Sequence, residues 1–376
     1  MSMILDGSNG VTFNDSSLQG AAASPYGLKN RIINGDMRID QRSAGTSVST
    51  SSTGTQTYAS LDRWAYIVSQ ASKFTIQQNA GSVTPPTGFT NYLGITSLSS
   101  YTVGTSDYFN VNQIIEGFNI ADLGWGTANA KTITISFWVR SSLTGTFGGS
   151  LRNSAIDRSY PFSYTISAAN TWEQKSITVA GDTTGTWLTN NGHGIQLAFS
   201  LGMGSTYSAT ANAWAGGNYV SATGATSVVG TNGATFYITG VQLEIGSTAT
   251  QFERRMYGQE LALCQRYLPA TSSIGGGGEQ GGQVLWISST TGWGTFIPIV
   301  QPRVVPTGFT GTASEITVRA SASSNTVTSA VSFAGAGLSQ FLFNVTIGAA
   351  AGAANASGFW YLNTAGAKIL WTGCEI

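Results

Sequence analysis

Asp62, Glu116, Asp122, Asp157 and Glu173 are the carboxylates from which a catalytic pair could be drawn. Glycoside cleavage needs two such groups flanking one bond, one acid and one base or nucleophile. No spacing in the chain selects two of the five. A Ser-His-Asp site would have to use His193, the one histidine, which sits in the turn-like stretch NNGHGI. There is no GxSxG, no phosphate-binding loop and no HExxH. One histidine leaves no room for a multi-His metal site, and Cys264 and Cys374 cannot form a CxxC pair or a disulfide framework. The expectation is a chain with no catalytic residues, no bound metal and no cofactor.

Binding asks less. Sugars are held by aromatic faces against apolar CH surfaces and by amides and hydroxyls that hydrogen-bond the ring oxygens. Trp125 lies in the Gly-rich stretch DLGWGTAN, Trp187 in GTWLTNNG, and Tyr207, Trp214 and Tyr219 in a long polar stretch. These loop aromatics are candidates for ligand contact, and burial against a sister subunit is an equal alternative. Trp293, Trp360 and Tyr361 are the corresponding candidates nearer the C-terminus. Trp64 and Trp138 lie in strand-like runs and are assigned to packing.

The elements that position these residues follow from composition and period. The chain has 376 residues, enough for two or three domains. Lys plus Arg is 17 and Asp plus Glu is 17, a formal net charge of zero, and only 9% of residues are charged. So few cations exclude the phosphate contacts that dominate nucleic-acid binding, and they disfavour anionic membranes. No run approaches the roughly 18 apolar residues of a membrane span. The first residues, MSMILDGSNGV, lack the basic-then-apolar pattern of a secretory signal. Hydrophobic residues reach 41%, with 10 Trp, ample for large cores.

Short two-periodic runs predict strands almost throughout. In KTITISFWVR from Lys131, Ile133, Ile135, Phe137 and Val139 alternate with polar positions and Trp138. RWAYIV, KFTIQQ, FSYTI, QKSITVA, GIQLAFS and TFYITGVQLEI read the same way, separated by turns such as GDTTGT and GTNGA. Strands joined by turns without intervening helices indicate an all-β antiparallel sandwich or jelly roll. One segment argues for a helix, residues 251–268, where Phe252, Met256, Leu263 and Tyr267 fall near a 3.6-residue stripe backed by Cys264. Thr250 and Glu253 form a candidate capping box, and Pro269 ends the segment. Past Gly275 to Gly278, seven more strand-like runs make a second, smaller β-sandwich, with an Ala/Gly connection at 348–354.

Three stretches resemble bacteriophage tail-fibre and related virion-fibre proteins: LKNRIINGDMRIDQR with DRWAY, KTITISFWVRSS with NTWEQKSITVAGD, and FYITGVQLEIGSTATQFERRMYGQELALCQRYL. They cover about residues 28 to 268. The resemblance implies a carbohydrate-binding-module-like jelly roll at 29–250, a connecting helix at 251–269 and a variable β tip at 270–376. It also implies a homotrimer whose coreless residues 1–28 attach to other virion proteins. The implied function is non-covalent recognition of a host-surface glycan or receptor by a virion-located fibre made in the host cytoplasm. A structural head fibre or collar protein, and a glycan-degrading tailspike, are the alternatives; the β-helix repeat usual in a spike is absent.

Two further residues have paired readings. Asn34-Gly35-Asp36 is a turn tripeptide, and Asp36 is either part of a tight connection or a calcium ligand; no neighbouring carboxylate cluster supports the ligand. Glu244 in TGVQLEIG is expected to pair with Arg63 or with an arginine of the helix. The helix itself is either a three-fold bundle on an axis or a segment docked on the sandwich.

Overall fold

A computed structural model describes residues 4–6, 10–12, 18–19, 29–273, 279–321, 324–348 and 353–376. The alternation seen in the sequence becomes two antiparallel sheets packed face to face. One has six strands in the order Glu173–Val179, Ile133–Ser141, Thr235–Ile245, Leu93–Ser97, Phe74–Gln78 and Val48–Ser49. The other has five, Ser159–Ile166, Gly145–Arg152, His193–Met203, Tyr108–Glu116 and Ala65–Val68. Ile133, Ile135, Phe137 and Val139 from one sheet meet Phe109, Val111, Phe147, Leu197 and Phe199 from the other in one continuous core. Trp64, just before the Ala65–Val68 strand, is fully buried in that core, in keeping with its assignment to packing. Such burial, at about 25 cal/mol per Å² of apolar surface, is the main term holding the sandwich. The fold is an all-β jelly-roll sandwich.

The turn Asn34-Gly35-Asp36 enters this sandwich as a buried connection held chiefly by Asn34. Asn34 has a φ of 56°, and its amide bonds the backbone of Ile39 and the carbonyl of Asp62. Asp36 pairs with Arg38 Nε at 2.5 Å. The buried amide of Gln113 clamps Ile33 through both its N–H and its carbonyl, at 2.8 Å each.

The helix is shorter than its sequence pattern, Tyr257–Gln265, with residues 251–256 extended. Thr250 and Glu253 do not cap it. Glu253 accepts from the backbone N–H groups of Lys29 and Asn30, Thr250 bonds Glu244, and the helix start is held instead by Gln259 bonding the Met256 N–H at 3.2 Å. Met256 is exposed, so the apolar stripe shrinks to Cys264, with Tyr267 and Leu268 just beyond the helix end. Cys264 and Tyr267 pack on Ile33 and Ile39, with half-buried Leu261 and Leu263 against them, and buried Glu260 pairs with Arg255. Within this chain the helix is docked on the sandwich. Glu244 is likewise held locally, by Gln242, Thr250 and, at 4.0 Å, Lys29, and neither Arg63 nor a helix arginine is its partner.

The C-terminal unit, expected as a second sandwich, closes into a six-stranded barrel. Its strands are Glu279–Trp286, Thr291–Phe296, Phe341–Ile347, Ser324–Ala336, Ile316–Ser321 and Ser357–Leu362. Closure leaves no open edge to pair with other chains. A three-stranded sheet of Ala270–Ser272, Lys368–Thr372 and Gly308–Gly311 lies against it and supplies Trp371 to its core. Gly281 is required here, because a Cβ would lie 2.0 Å from the Trp360 ring. Near the N-terminus, Ile4–Asp6, Gly10–Thr12 and Leu18–Gln19 form a small antiparallel sheet. The alanine tract at 21–23, the glycines at 275–278 and most of the 348–354 connection lie outside the described residues.

Candidate functional site

The outer face of the five-stranded sheet, turned away from the core, is polar and yet mostly buried. Alternation dictates it: in Tyr108–Glu116 the residues Phe109, Val111 and Ile115 point inward, so Asn110, Asn112 and Ile114 point out. In His193–Met203 the same rule places Gln196 and Ser200 outward, and in Gly145–Arg152 it places Ser150 and Arg152 there. Register then aligns them, Arg152 opposite Gln196 and Gln196 opposite Ile114.

The result is a chain of hydrogen bonds across the strands. Arg152 donates through Nη1 to Asn218 Oδ1 and through Nη2 to Gln196 Oε1. Gln196 donates to Asn112 at 2.9 Å, and Asn112 donates to Asn110 at 3.0 Å. Above this ladder opens a cleft of about 320 Å³, in the size range of small-ligand sites. Tyr108 and Tyr207 form one wall, edge to face with centroids 5.2 Å apart. Gln56, Ile156 and Val220 complete the rim. Gln56 also bonds the Ile376 carbonyl at 3.1 Å, so the C-terminal segment braces this rim.

Electrostatics at the cleft come from Arg152 and His193. Burial lowers Arg152 to about 10, still cationic at neutral pH. Burial first, and the nearby Arg152 charge second, push His193 down to about 4, so it is neutral. His193 therefore opens a central strand and lines the cleft; it is not the solvated loop residue its turn-like sequence predicts.

Of the aromatic candidates read from the sequence, Tyr207 is the one that lines this cleft. Trp125, Trp187 and Trp214 come together elsewhere, mutually edge to face with centroids 4.8 to 5.5 Å apart. Each indole N–H is spent on a carbonyl, of Lys131, Thr184 and Ala180 respectively, and Trp125 and Trp187 are buried. Their polar-loop setting is real, but the loops fold over one another and the rings pack. Trp360 is a correction: it is fully buried in the barrel and bonds Thr295 O at 2.8 Å, so no ligand reaches its face. Tyr361 is half-buried on the same strand, and Trp293 is 43% exposed on the barrel surface.

The five carboxylates are dispersed into separate partnerships. Glu116 takes Arg266 at 2.6 and 2.9 Å together with the Tyr267 hydroxyl. Asp62 takes Gln41 and Arg42, Asp122 takes Arg31, Asp157 takes Asn153 and Glu173 takes Lys175. Among the described residues no three His, Cys, Asp or Glu side chains gather at one point.

Sequence reasoning missed Asn110, Asn112, Arg152 and Gln196. The available signal was alternation of amides with Phe and Val in YFNVNQIIE, a strand with two buried faces of opposite character.

No protein-family model and no curated protein matches the chain. Solved structures are similar in architecture. The enzymatically active domain of tailspike protein 4 from bacteriophage CBA120 aligns over 60% of this chain and 22% of its own, at 13% identity and a TM-score of 0.30. A family 4 carbohydrate-binding module aligns over 48% of this chain and 87% of its own, at 15% identity and a TM-score of 0.27. The family 11 carbohydrate-binding module from Clostridium thermocellum, solved with a β-1,3-1,4-mixed-linked tetrasaccharide, aligns over 50% and 91%, at 13% identity and a TM-score of 0.26. These are likenesses of β-sandwich architecture.

Proposed function

We propose that this chain binds a glycan, without cleaving it, in the cleft on the outer face of the five-stranded sheet. The observation that carries the reading is the ladder of amides, Asn110, Asn112, Gln196 and Asn218, laid beside the Tyr108 and Tyr207 rings. Amides present donors and acceptors to sugar hydroxyls, and a ring face covers the apolar CH side of a pyranose. A preformed, braced cleft also avoids the entropy cost of ordering loops on binding.

The sequence resemblance supports a wider setting for this site. In that setting the chain is a homotrimeric virion fibre, residues 1–28 join it to the particle, and the cleft recognises a cell-surface glycan. Several weak cleft sites per fibre would gain avidity by multivalency.

The test is a glycan array with purified protein, followed by mass spectrometry of the supernatant for released sugar. Binding without release, weakened at least tenfold by Tyr207→Ala at an unchanged melting temperature, is the expected result. Sugar release would overturn the non-catalytic reading, and absence of binding would assign the chain a purely structural role.

A further inference from the structure

We infer that the cleft takes an acidic sugar, whose carboxylate pairs with the guanidinium of Arg152. This rests on the reading of the cleft as a glycan site and names the class of sugar that it holds.

Three arginines are buried among the described residues, Arg63, Arg152 and Arg255. Arg63 faces the carboxylate of Glu375, and Arg255 faces those of Glu253 and Glu260. Arg152, only 6% exposed, forms no ion pair with any described residue. Its side-chain partners are two neutral amide oxygens, which engage two of its five N–H donors. Its Nε is buried and has no partner, as in Arg63 and Arg255, so what sets Arg152 apart is the missing counter-charge. Nε2 of His193, on the same cleft wall, is also buried and without a hydrogen-bond partner.

Burying a cation without a counter-charge costs several kcal/mol, and amide oxygens return part of that. A purely structural clamp on Asn218 would be served by a neutral donor at lower cost. The charge becomes intelligible if the cleft supplies the missing anion from outside. The planar guanidinium fork matches a carboxylate in two parallel hydrogen bonds, a geometry that a neutral hydroxyl cannot satisfy. A uronic acid, which joins such a carboxylate to a pyranose ring, fits both halves of the site. Its carboxylate meets Arg152 and its ring meets the amides and Tyr207.

The experiment uses the native full-length chain and calorimetric titration against a panel of uronic-acid oligosaccharides, each beside its carboxyl-reduced counterpart of identical linkage. We expect the acidic member of a binding pair to bind at least tenfold more tightly, with the advantage shrinking at high salt. Arg152→Gln should erase the difference between the pair, whereas Tyr207→Ala should weaken both members alike. Equal binding of the two members, still sensitive to Tyr207→Ala, overturns the acidic-sugar inference and leaves the glycan site standing. Binding of neither member anywhere in the panel overturns the acidic-sugar inference, and absence of binding on the glycan array as well overturns the glycan site. Sulfated and phosphorylated sugars are titrated beside the panel, and their tighter binding than that of uronic acids overturns the carboxylate assignment. The native-chain comparison needs no variant, so the inference stays testable if Arg152→Gln does not fold.

Discussion

Arg63 and Glu375, 312 positions apart in the chain, form an ion pair between the jelly roll and the C-terminal segment. The guanidinium carbon also lies 3.6 Å from the centroid of the Tyr267 ring, and Nη2 bonds the Ile114 carbonyl. Arg42 reaches the other carboxylate oxygen of Glu375 at 3.0 Å. Arg303 fixes the same segment by its backbone, bonding the carbonyls of Cys374 and Glu375 at 2.8 and 2.6 Å. The Glu375 carboxylate therefore ties two turns of the jelly roll, through Arg42 and Arg63, to the C-terminal segment.

Removing Arg63 leaves Glu375 with Arg42 and strips the Ile114 carbonyl and the Tyr267 ring of their contacts with the guanidinium, at a cost of about 3 kcal/mol. Arg63→Met should lower the unfolding free energy by about that much in urea titrations. The double variant with Glu375→Gln should lose less than the sum of the singles. A loss below about 1 kcal/mol for Arg63→Met would place the pair among weak surface bridges instead.

The Trp125, Trp187 and Trp214 cluster is read as packing, and truncation tests it directly. Trp125→Ala should cost about 3–5 kcal/mol, since it leaves a ring-sized cavity and orphans the Lys131 carbonyl. Glycan binding measured below the new melting temperature should be unaffected. Weakened binding at unchanged stability would return these rings to the list of ligand contacts.

The His193 environment imposes a sign on the pH dependence of stability. Its folded-state value is about 4 against about 6.5 for the unfolded chain, so between those values the unfolded chain takes up a proton that the folded one refuses. The contribution is intact above pH 6.5 and is lost as pH falls toward 4, roughly 1–3 kcal/mol for a group this buried. Asp62 acts oppositely: burial raises it from 3.8 to about 7, so its contribution fades as pH rises through that window. The difference between the native chain and His193→Gln isolates the histidine. Chemical denaturation at pH 4.5 and 7.5 should give the variant a smaller acid-side loss.

Gly35 offers a test of the Asn34-Gly35-Asp36 connection. A Cβ there would lie 2.2 Å from the Val241 carbonyl, next to the 2.9 Å bond from Val241 N to Gly35 O. Gly35→Ala must push this turn away from the Thr235–Ile245 strand and should destabilise by about 2–4 kcal/mol, read as a fall in melting temperature. An unchanged melting temperature would show that the approach is slack.

What the amino-acid order determines by itself is local period. Thr235–Ile245 is legible to the residue, although a bulge between Thr239 and Gln242 shifts its inward face from Phe236 and Ile238 to Val241 and Leu243, and the run from Lys131 to Arg140 places Ile133–Ser141 to within two residues, because one face of each must leave water. Pro269 likewise announces the end of the helical pattern, and the turns between two-periodic runs announce the β-rich class. The helix start was not legible, because whether Thr250 caps it depends on Glu244, which competes for the same hydroxyl from another strand. The cleft was less legible still. Tyr108–Glu116 and Gly145–Arg152 are absent from the strands read in the sequence: the first alternates amides with its apolar residues but gives no sign that its amide face is covered, and the glycines of the second interrupt its apolar period. Their side chains acquire meaning only when pairing with His193–Met203 sets Arg152 beside Gln196, 44 positions away, and Gln196 near Asn112, 84 positions away. Hydrophobic alternation is a property of neighbours in the chain, so composition and order suffice to place strands. A polar cleft is a property of neighbours in space, and only the closed pairing of strands decides which amides share a face and which buried arginine is left without a counter-charge.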